Sequence, residues 1–473
     1  MTFPALITDP AVLAGYLTDA SNVPGAADGL VRPRSAAEVA AVLRHCQERR
    51  IPVLPTAGRT STTAGAVPQG GWLLSLEALD GIDAIGFDRA TAGAGVRLGA
   101  FQTEIEATGR FYPPDPTSRH DCTLGASIAT NASGARTFRY GPTRGWVAAL
   151  EVVLPTGEIL EVDEHTPIPA GWPVPRWREP AVKTAAGYPP TDRLLDLFIG
   201  TEGTLGVITR ATVKLTALPR DVFGLIAFFP DRASALSFVR AARASARADR
   251  GGLLSPRCLE YFDATCLALA ERRVGGVPAG ARAGLFCEQE VEAAGVDAHL
   301  EAWLAALQEH GALADDTLLA TDAPTRERLL SLRHAIPAGI NEQVVRNGMP
   351  KVGTDLAVPD EALEALMDAY EAAPLEHVLF GHVGDNHLHL NLLPRTAAEL
   401  AQAKAYYDDL ARLAIASGGT VSAEHGIGKL KRAHLAWMVG EGVLGGFRAL
   451  KAAVDPAGIL GRGNVFEVPS APL

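Results

Sequence analysis

The stretch from Phe111 to Arg144, FYPPDPTSRHDCTLGASIATNASGARTFRYGPTR, decides the fold of the first half of the chain. The prolines of PPDP prevent a helix at its start. Thr123 can then cap a short helical turn through Gly125–Ile128, whose backbone amides favour an anion in front of them. Taken alone, the stretch is equally compatible with a proline-rich loop followed by a surface helix.

Two further glycine-rich segments lie beside apolar runs. Pro55–Gly65, PTAGRTSTTAG, follows the strand-like Ile51–Leu54, and Gly200–Ile208, GTEGTLGVI, comes later in the chain. Backbone amides in small-residue turns of this kind can approach phosphate groups closely. The three segments together therefore predict loops that wrap one extended cofactor.

Four motifs of these loops, PPDPTSR, IATNASG, RYGPTR and GTEGTLGVIT, resemble a known family. It is the FAD-binding domain shared by vanillyl-alcohol oxidase and p-cresol methylhydroxylase relatives, and the branch is that of D-lactate and D-2-hydroxyglutarate dehydrogenases and the glycolate oxidase flavoprotein subunit. The resemblance runs from about Val31 to Phe466. It implies an α+β fold with a two-part FAD-binding domain at 1–216, an antiparallel-sheet cap domain carrying a metal-binding hairpin at 217–415, and a small C-terminal helical segment at 416–473 that completes the active site.

The resemblance also implies non-covalent FAD, with its diphosphate over Pro55–Gly65 and its ring near Tyr140. Ile51–Gly71 has no His or Cys for a covalent link, so only His120 and Cys122 are nearby alternatives. The implied cofactor-binding residues are Pro55, Thr56, Ala57, Gly58, Arg59, Thr60, Ser61, Gly65, Pro114, Asp115, Thr117, Ser118, Thr123, Leu124, Gly125, Ser127, Ile128, Asn131, Ser133, Gly134, Tyr140, Gly141, Glu202, Gly203, Gly206, Val207 and Ile208.

The cofactor loops depart from the family in their glycines. Ala57-Gly58-Arg59 stands where relatives run three glycines, and Gly125-Ala126 and Ser133-Gly134 stand where they have pairs. Each lost glycine removes freedom for positive φ and for close backbone approach to phosphate. Flavin affinity is therefore less firmly predicted than the fold.

Bulk properties narrow the class of protein. The 473 residues exceed what one core usually supports, which predicts two or three domains. A net charge of −11 argues against a nucleic-acid partner. The five cysteines include no CxxC pair, which favours neither disulfides nor an iron–sulfur cluster and fits a reducing cytoplasm. No apolar run is long enough to span a membrane.

Apolar periodicity predicts the elements around these motifs. In the first half it indicates an amphipathic helix at Ala36–Arg50 capped by Ser35, a helix at Leu98–Thr108, and a hairpin of Leu150–Leu154 with Glu158–Val162. After Ala217, strands at Phe223–Phe229, Cys258–Phe262 and Ala283–Glu290 alternate with helices at Ala233–Ala246 and Ala298–Glu309. That alternation predicts an antiparallel sheet covered on one face.

A histidine-rich segment, His377–Asn391 (HVLFGHVGDNHLHLN), carries the strongest polar signal of the second half. If Asp385-Asn386 form a two-residue turn, His382 lies directly opposite His389. Facing Cβ atoms are about 5 Å apart, so the two imidazoles can converge on one metal ion. The alternative is a hairpin whose histidines only decorate a polar face.

Glu424 supplies a carboxylate in the segment SAEHG. Relatives pair this segment with a GHxGD-type hairpin, and the resemblance implies a divalent metal bound by His382, His389 and Glu424. Zinc is favoured for such a set and manganese is the alternative. The family usually has Gly-Asn where this chain has Asn386-His387, so His387 either adds a ligand or shifts the metal preference.

His425 follows Glu424, and in an extended backbone the two side chains would point in opposite directions. Because histidine titrates near neutral pH, His425 is the candidate catalytic base, with a structural histidine as the alternative. The resemblance places Arg333, Lys351 and Asn391 at the substrate, where basic groups would hold a carboxylate. Ordinary surface residues are the alternative for Arg333 and Lys351.

These observations predict an FAD-dependent dehydrogenase that oxidises a D-2-hydroxy acid, of the D-lactate or D-2-hydroxyglutarate type, to the 2-oxo acid. A non-redox flavin-dependent transferase of the alkyl-dihydroxyacetone-phosphate synthase type is one alternative, although that chemistry would not require the His–His–Glu set. A metal-dependent hydrolase is another, and a colourless purified protein would favour it. The electron acceptor is left open between a quinone, an electron-transfer flavoprotein and a cytochrome, and a homodimer is compatible with the prediction.

Overall fold

The structure, a computed structural model, describes residues 3–291 and 295–467, without the side chains at 328 and 334. Its first half contains a parallel sheet in the order β1-β3-β2, an antiparallel sheet in the order β4-β5-β9-β7-β8, and a short ribbon of β6 with β10. The elements are α1 (Pro10–Ala14), β1 (Gly29–Val31), α2 (Ala36–Arg49), β2 (Val53–Thr56), β3 (Trp72–Ser75), β4 (Ile82–Ile85), β5 (Arg89–Gly93), α3 (Leu98–Glu106), β6 (Arg110–Phe111), α4 (Leu124–Ala129), α5 (Thr137–Tyr140), β7 (Val147–Val153), β8 (Ile159–Asp163), β9 (Val207–Lys214) and β10 (Thr216–Ala217).

Local signals set the ends of these elements. The Ser35 side chain accepts a hydrogen bond from the Glu38 amide at the start of α2, as its predicted cap. Thr123 likewise accepts from the Ala126 amide and starts α4 directly after the proline-rich segment. The helix predicted over Leu98–Thr108 is confirmed as α3, and the predicted hairpin is confirmed as β7 and β8.

The second half is built on an eight-stranded sheet, in the order β14-β11-β13-β12-β17-β18-β15, with β16 also paired to β18. Its central strands pair antiparallel. The elements are β11 (Val222–Phe229), α6 (Arg232–Ala248), β12 (Pro256–Asp263), α7 (Ala264–Arg273), β13 (Ala283–Glu290), α8 (Val296–Glu309), β14 (Leu318–Ala320), α9 (Ala323–Asn347), β15 (Val352–Gly353), β16 (Leu356–Ala357), α10 (Leu363–Glu371), β17 (His377–His382), β18 (His387–Leu392) and α11 (Ala397–Ala416).

The expectation that helices cover this sheet on one face only is wrong. Every residue of β11 is buried, and its alternate side chains enter two different cores. Leu225 packs in a core with Phe238 of α6, whereas Ile226 packs in another with Leu332 of α9. A strand buried on both faces needs helices on both sides, which is why its sequence is continuously apolar rather than alternating.

The end of the chain returns to the first half. Helix α12 (Arg432–Val454), which is interrupted at Gly440, packs Phe447 against Tyr188 at 5.1 Å between ring centroids. Beyond it, Leu460 bridges to Val53 of β2. The residues between α11 and α12, which include Glu424, therefore lie between the two halves. Among the described helices, none combines the length and apolarity needed to cross a membrane.

Candidate active site

The histidine hairpin forms with a register different from the predicted one. His382 pairs with His387, and His389 lies opposite Phe380. The expected two-residue turn is wrong because the connection takes four residues, Val383–Asn386, and Asn386 sits at φ +53°. Side-chain bonds from Asn386 fix the wider loop, since its amide accepts from Arg243 at 2.5 Å and donates to Asp360 at 2.7 Å.

The register differs from the predicted one by two residues, since His382 faces His387 instead of His389. Two residues is the side-chain period of a strand, so the histidines still lie on one face of the hairpin. His382, His387, His389 and Glu424 each offer one ligand atom, and these four atoms lie within 4.8 Å of one another. At most 13% of any of the four side chains is exposed. The structure thus brings the three predicted metal ligands together and adds His387 to them.

Each histidine of this four-residue set, called here the histidine cluster, has an acceptor behind it. His382 Nδ1 lies 2.6 Å from Glu260 Oε1, and His389 Nδ1 lies 3.1 Å from the Thr354 carbonyl oxygen. An acceptor at one ring nitrogen fixes the tautomer and directs the other nitrogen away from it. The Nε2 atoms of His382 and His389 accordingly lie 3.5 and 3.4 Å from Glu424 Oε1.

The charges around the cluster are buried and paired. Burial and the Lys183 ammonium lower the pKa of His382, but the Glu260 and Glu424 carboxylates outweigh them and raise that pKa to about 9. Lys183 Nζ donates to Glu424 Oε2 at 2.8 Å. Acidic groups therefore dominate the potential at His382, which suits a bound cation, whereas burial and the Lys183 ammonium lower the pKa of His387.

Asp355 organises the segment that carries Glu424 and His425. Its carboxylate accepts from the backbone amides of both residues at 3.1 Å and from Lys431 Nζ at 2.5 Å. These bonds turn the backbone, so the expectation that Glu424 and His425 point in opposite directions is wrong. His425 Nε2 lies 3.6 Å from Glu424 Oε1, and its ring stacks on His389 with centroids 5.5 Å apart.

His425 differs from the cluster in its exposure. About a third of its side chain, 34%, is exposed, whereas His387 is fully covered. Partial burial lowers the pKa of His425 below its ordinary value, although the Asp355 and Glu424 carboxylates oppose that shift. The imidazole is therefore neutral near pH 7 and can accept a proton from a group that approaches the cluster.

The three predicted substrate residues lie in two different environments. Lys351 Nζ donates to Asn391 Oδ1 at 2.7 Å, and burial lowers the pKa of this lysine. Arg333 Nε instead donates to Glu260 Oε2 at 2.6 Å, on the same carboxylate that contacts His382. Lys351 and Asn391 thus form one polar unit, while Arg333 supports the histidine cluster from behind.

All three glycine-rich loops reach the segment that holds Glu424. Ser133 Oγ donates to Glu424 Oε2 at 3.3 Å. Thr63 Oγ1 donates to the His425 carbonyl oxygen at 3.3 Å. Glu202 accepts from the Ile427 and Gly428 amides at 2.6 and 2.8 Å. The predicted cofactor loops and the histidine cluster are therefore parts of one site.

Backbone packs closely both between the loops and within one of them. A Cβ on Gly58 would overlap the Asp121 carbonyl oxygen of the Phe111–Arg144 loop, and within that loop a Cβ on Gly134 would overlap the Asp115 carbonyl oxygen. Arg59, at a position where the family resemblance implies glycine, adopts φ +54°. Its guanidinium donates to the Ala57 carbonyl oxygen and lies over the Tyr16 ring. A non-glycine residue thus adopts a left-handed backbone conformation there, and the contacts of its guanidinium with Ala57 and Tyr16 stabilise it.

Three kinds of environment can be distinguished among the predicted cofactor residues. Several have side chains in the protein core and can offer only backbone atoms, namely Leu124, Ile128, Val207 and Ile208. Tyr140 donates to Glu290 Oε1 in the cap sheet at 2.5 Å, and burial raises its pKa. Asn131 and Gly141 line a cavity of about 360 Å³ together with Lys183 and Asp385. This volume lies in the range of small-molecule sites.

Sequence reasoning missed three residues of the site. Glu260 had a signal, since it is a lone charge inside the apolar strand CLEYF. Asp355 lies only four residues after Lys351, which the resemblance placed at the substrate. Lys183 lies in the proline-rich segment Pro167–Pro190, where no pattern in the sequence distinguishes it.

Comparisons with known proteins agree with this architecture. Residues 218–465 match the family model of FAD linked oxidases, C-terminal domain, and residues 27–163 match an FAD binding domain. The D-2-hydroxyglutarate dehydrogenase of Xanthomonas citri pv. viticola is 33% identical over 93% of this chain and 89% of its own. The D-lactate dehydrogenase of Archaeoglobus fulgidus is 31% identical over 92% of this chain and 90% of its own.

Solved structures show the same fold at low identity. p-Cresol methylhydroxylase with substrate bound has a TM-score of 0.75 at 15% identity, covering 99% of this chain and 95% of that one. An alkyldihydroxyacetonephosphate synthase has a TM-score of 0.69 at 17% identity, covering 96% of this chain and 81% of that one. The sequence matches span both halves of the molecule, and the chain therefore belongs to the FAD-linked oxidase family.

Proposed function

We propose that this protein oxidises a D-2-hydroxy acid, of the D-lactate or D-2-hydroxyglutarate type, to the 2-oxo acid, using FAD and one divalent metal. The observation that carries the proposal is the direct contact between cofactor loop and histidine cluster, Ser133 Oγ to Glu424 Oε2 at 3.3 Å. It puts a ligand set for a metal beside a predicted flavin site. The relatives named above as dehydrogenases of such acids support the substrate class.

FAD would be held by the three loops without a covalent bond. The fit rests on close backbone approach among the loops and on Gly141, which has φ +73°, lines the cavity and would meet nothing within 4 Å if it carried a Cβ. Bound FAD would supply the acceptor for the hydride that leaves the substrate Cα. Acid precipitation should release the yellow colour into the supernatant, and colour kept in the pellet would contradict a non-covalent cofactor.

A metal would be held by His382, His389 and Glu424. The fit rests on the donor set and on the acceptors behind the two imidazoles, which leave their Nε2 atoms 3.5 and 3.4 Å from Glu424 Oε1. Zinc is favoured and manganese is the alternative. A bound metal would supply a Lewis acid for the substrate carboxylate and 2-hydroxyl.

The remaining residues position the substrate and move one proton. Lys351 and Asn391 would bind the carboxylate, since the Lys351 ammonium donates to the neutral Asn391 side chain rather than to a carboxylate of the protein. Arg333 already donates to Glu260, so we propose that it attracts the substrate carboxylate by its positive charge and does not grip it with two parallel hydrogen bonds. His425 would take the hydroxyl proton, because it is neutral and more exposed than the cluster histidines.

Turnover with a panel of substrates tests this function. The purified protein would be assayed with D- and L-lactate, D- and L-2-hydroxyglutarate and glycolate, using an artificial electron-accepting dye. We expect a yellow protein that contains one metal per chain and reduces the dye with a D-2-hydroxy acid. A colourless protein with hydrolase activity, or a yellow one active only in group transfer, would replace the proposal with one of the two alternatives.

A further inference from the structure

His387 stands where relatives usually carry asparagine, and the structure puts it inside the histidine cluster. Its side chain is completely covered. The ring centroid lies 4.4 Å from that of His389 and 5.5 Å from that of His382. A residue that only completed the hairpin turn would not need to face both predicted ligands.

The two ring nitrogens of His387 have different surroundings. Nε2 lies 2.9 Å from Asp355 Oδ1, a carboxylate that is itself fixed by Lys431 and by two backbone amides. Nδ1 lies 3.8 Å from Glu424 Oε2, and among the described residues neither ring nitrogen has a hydrogen bond of good geometry. A buried polar atom without a partner is unfavourable, so the orientation of Nδ1 toward the cluster calls for a ligand.

The same arrangement holds for all three histidines. Each has one nitrogen against an acceptor, which is Glu260 for His382, Thr354 for His389 and Asp355 for His387. Each directs the other nitrogen toward Glu424. Acceptors in this position are what orients metal-binding imidazoles and raises their basicity.

We infer that His387 is a fourth metal ligand, acting through Nδ1, so that the centre has three histidines and one glutamate. This inference rests on the metal in the proposed function and adds a ligand to it. Four protein ligands fill a tetrahedral shell, so a hydroxy acid would bind the metal only if the ion accepts five or six ligands. The extra imidazole would also bind the metal more tightly than the predicted set of three.

Metal affinity of the FAD-loaded protein tests the inference, with Zn²⁺ and Mn²⁺ competed against a chromophoric chelator. His387→Asn restores the residue usual in relatives and should weaken binding by at least the roughly 10–100-fold typical of losing an outer partner. His377→Asn is the matched control, because His377 lies in the same hairpin but outside the cluster and contacts the Leu375 carbonyl. The control should bind like wild type.

X-ray absorption spectroscopy of the metal-loaded wild type gives an answer that does not depend on a buried variant folding. We expect three imidazole ligands in wild type and two in His387→Asn. Two imidazoles in wild type, or equal affinities for His387→Asn and His377→Asn, would overturn the inference and leave the proposed function standing. A wild-type protein that binds no metal would refute both.

Discussion

The histidine cluster and the glycine-rich loops are adjacent, but they are held by different means. In the cluster, carboxylates and a carbonyl fix side chains, as Glu260 does for His382 and Asp355 for His387. In the loops, backbone packs on backbone, as at Gly58 and Gly134. Cluster substitutions should therefore change chemistry and leave the loops folded, whereas loop substitutions should first change packing and flavin content.

The largest effect is expected from Glu424→Gln. The amide keeps the shape but removes the charge that a metal needs, and loss of Lewis-acid assistance worth several kcal/mol slows turnover by about 10³-fold or more. Steady-state turnover, metal analysis and the flavin spectrum are measured together, with the exposed Glu361→Gln as control. Full turnover with a normal metal content would remove Glu424 from the site.

His425→Ala should have the next largest effect. Loss of a general base typically slows the chemical step by about 10²–10⁴-fold while binding survives. Stopped-flow flavin reduction at saturating substrate measures it, and His165→Ala, at an exposed histidine outside the site, is the control. A reduction rate within a few-fold of wild type would assign the base role to another residue.

Gly134→Ala tests the other side of the comparison. The new Cβ would overlap the Asp115 carbonyl oxygen, and overpacking of this kind costs about 1–3 kcal/mol. We expect a lower melting temperature and less bound flavin, with metal affinity kept. Gly145→Ala is a nearby control, because its Cβ would meet nothing within 4 Å. Equal flavin content in the two variants would show that loop packing does not control cofactor binding.

The smallest effect is expected from Arg59→Gly. Glycine relieves the positive φ of +54°, worth about 1–2 kcal/mol. It also removes a guanidinium that lies 4.2 Å from the centroid of the Tyr16 ring, worth about 0.5–1 kcal/mol, and that donates to the Ala57 carbonyl oxygen, worth about 0.5–1.5 kcal/mol. The gain and the losses nearly cancel in the stability of the loop, so FAD affinity measured by fluorescence titration should change by less than about tenfold. A larger gain would show that the missing glycine limits cofactor binding.

The sequence was most informative where signals are local. The Thr123 cap, helix α2 and the hairpin of β7 and β8 follow from neighbouring residues and were predicted. The predicted register of the histidine hairpin was wrong because hydrogen bonds of Asn386 with Arg243 and Asp360 stabilise a longer loop. These partners lie 143 and 26 residues away in the chain. The prediction still placed His382 and His389 on one face, since the error was an even number of residues.

The supporting residues of the site were beyond prediction for the same reason. Lys183 and Glu424 meet across 241 residues, and Arg333 meets Glu260 across 73. Arg333 has the residue type expected of a carboxylate-binding group, yet its nearest anion is a glutamate of the protein itself. A pattern in sequence identifies which side chains can do chemistry, whereas the tertiary contacts decide which ones remain available.

The most direct test of the central claim is anaerobic single-turnover reduction of the flavin before and after metal removal. Enzyme with bound FAD would be mixed with D- or L-lactate and with D- or L-2-hydroxyglutarate, and the flavin absorbance followed by stopped flow. We predict that a D enantiomer bleaches the flavin only in the metal-loaded enzyme, and that restoring the metal restores the rate. Equal bleaching in enzyme shown to contain no metal, or bleaching by the L enantiomers alone, would contradict the account.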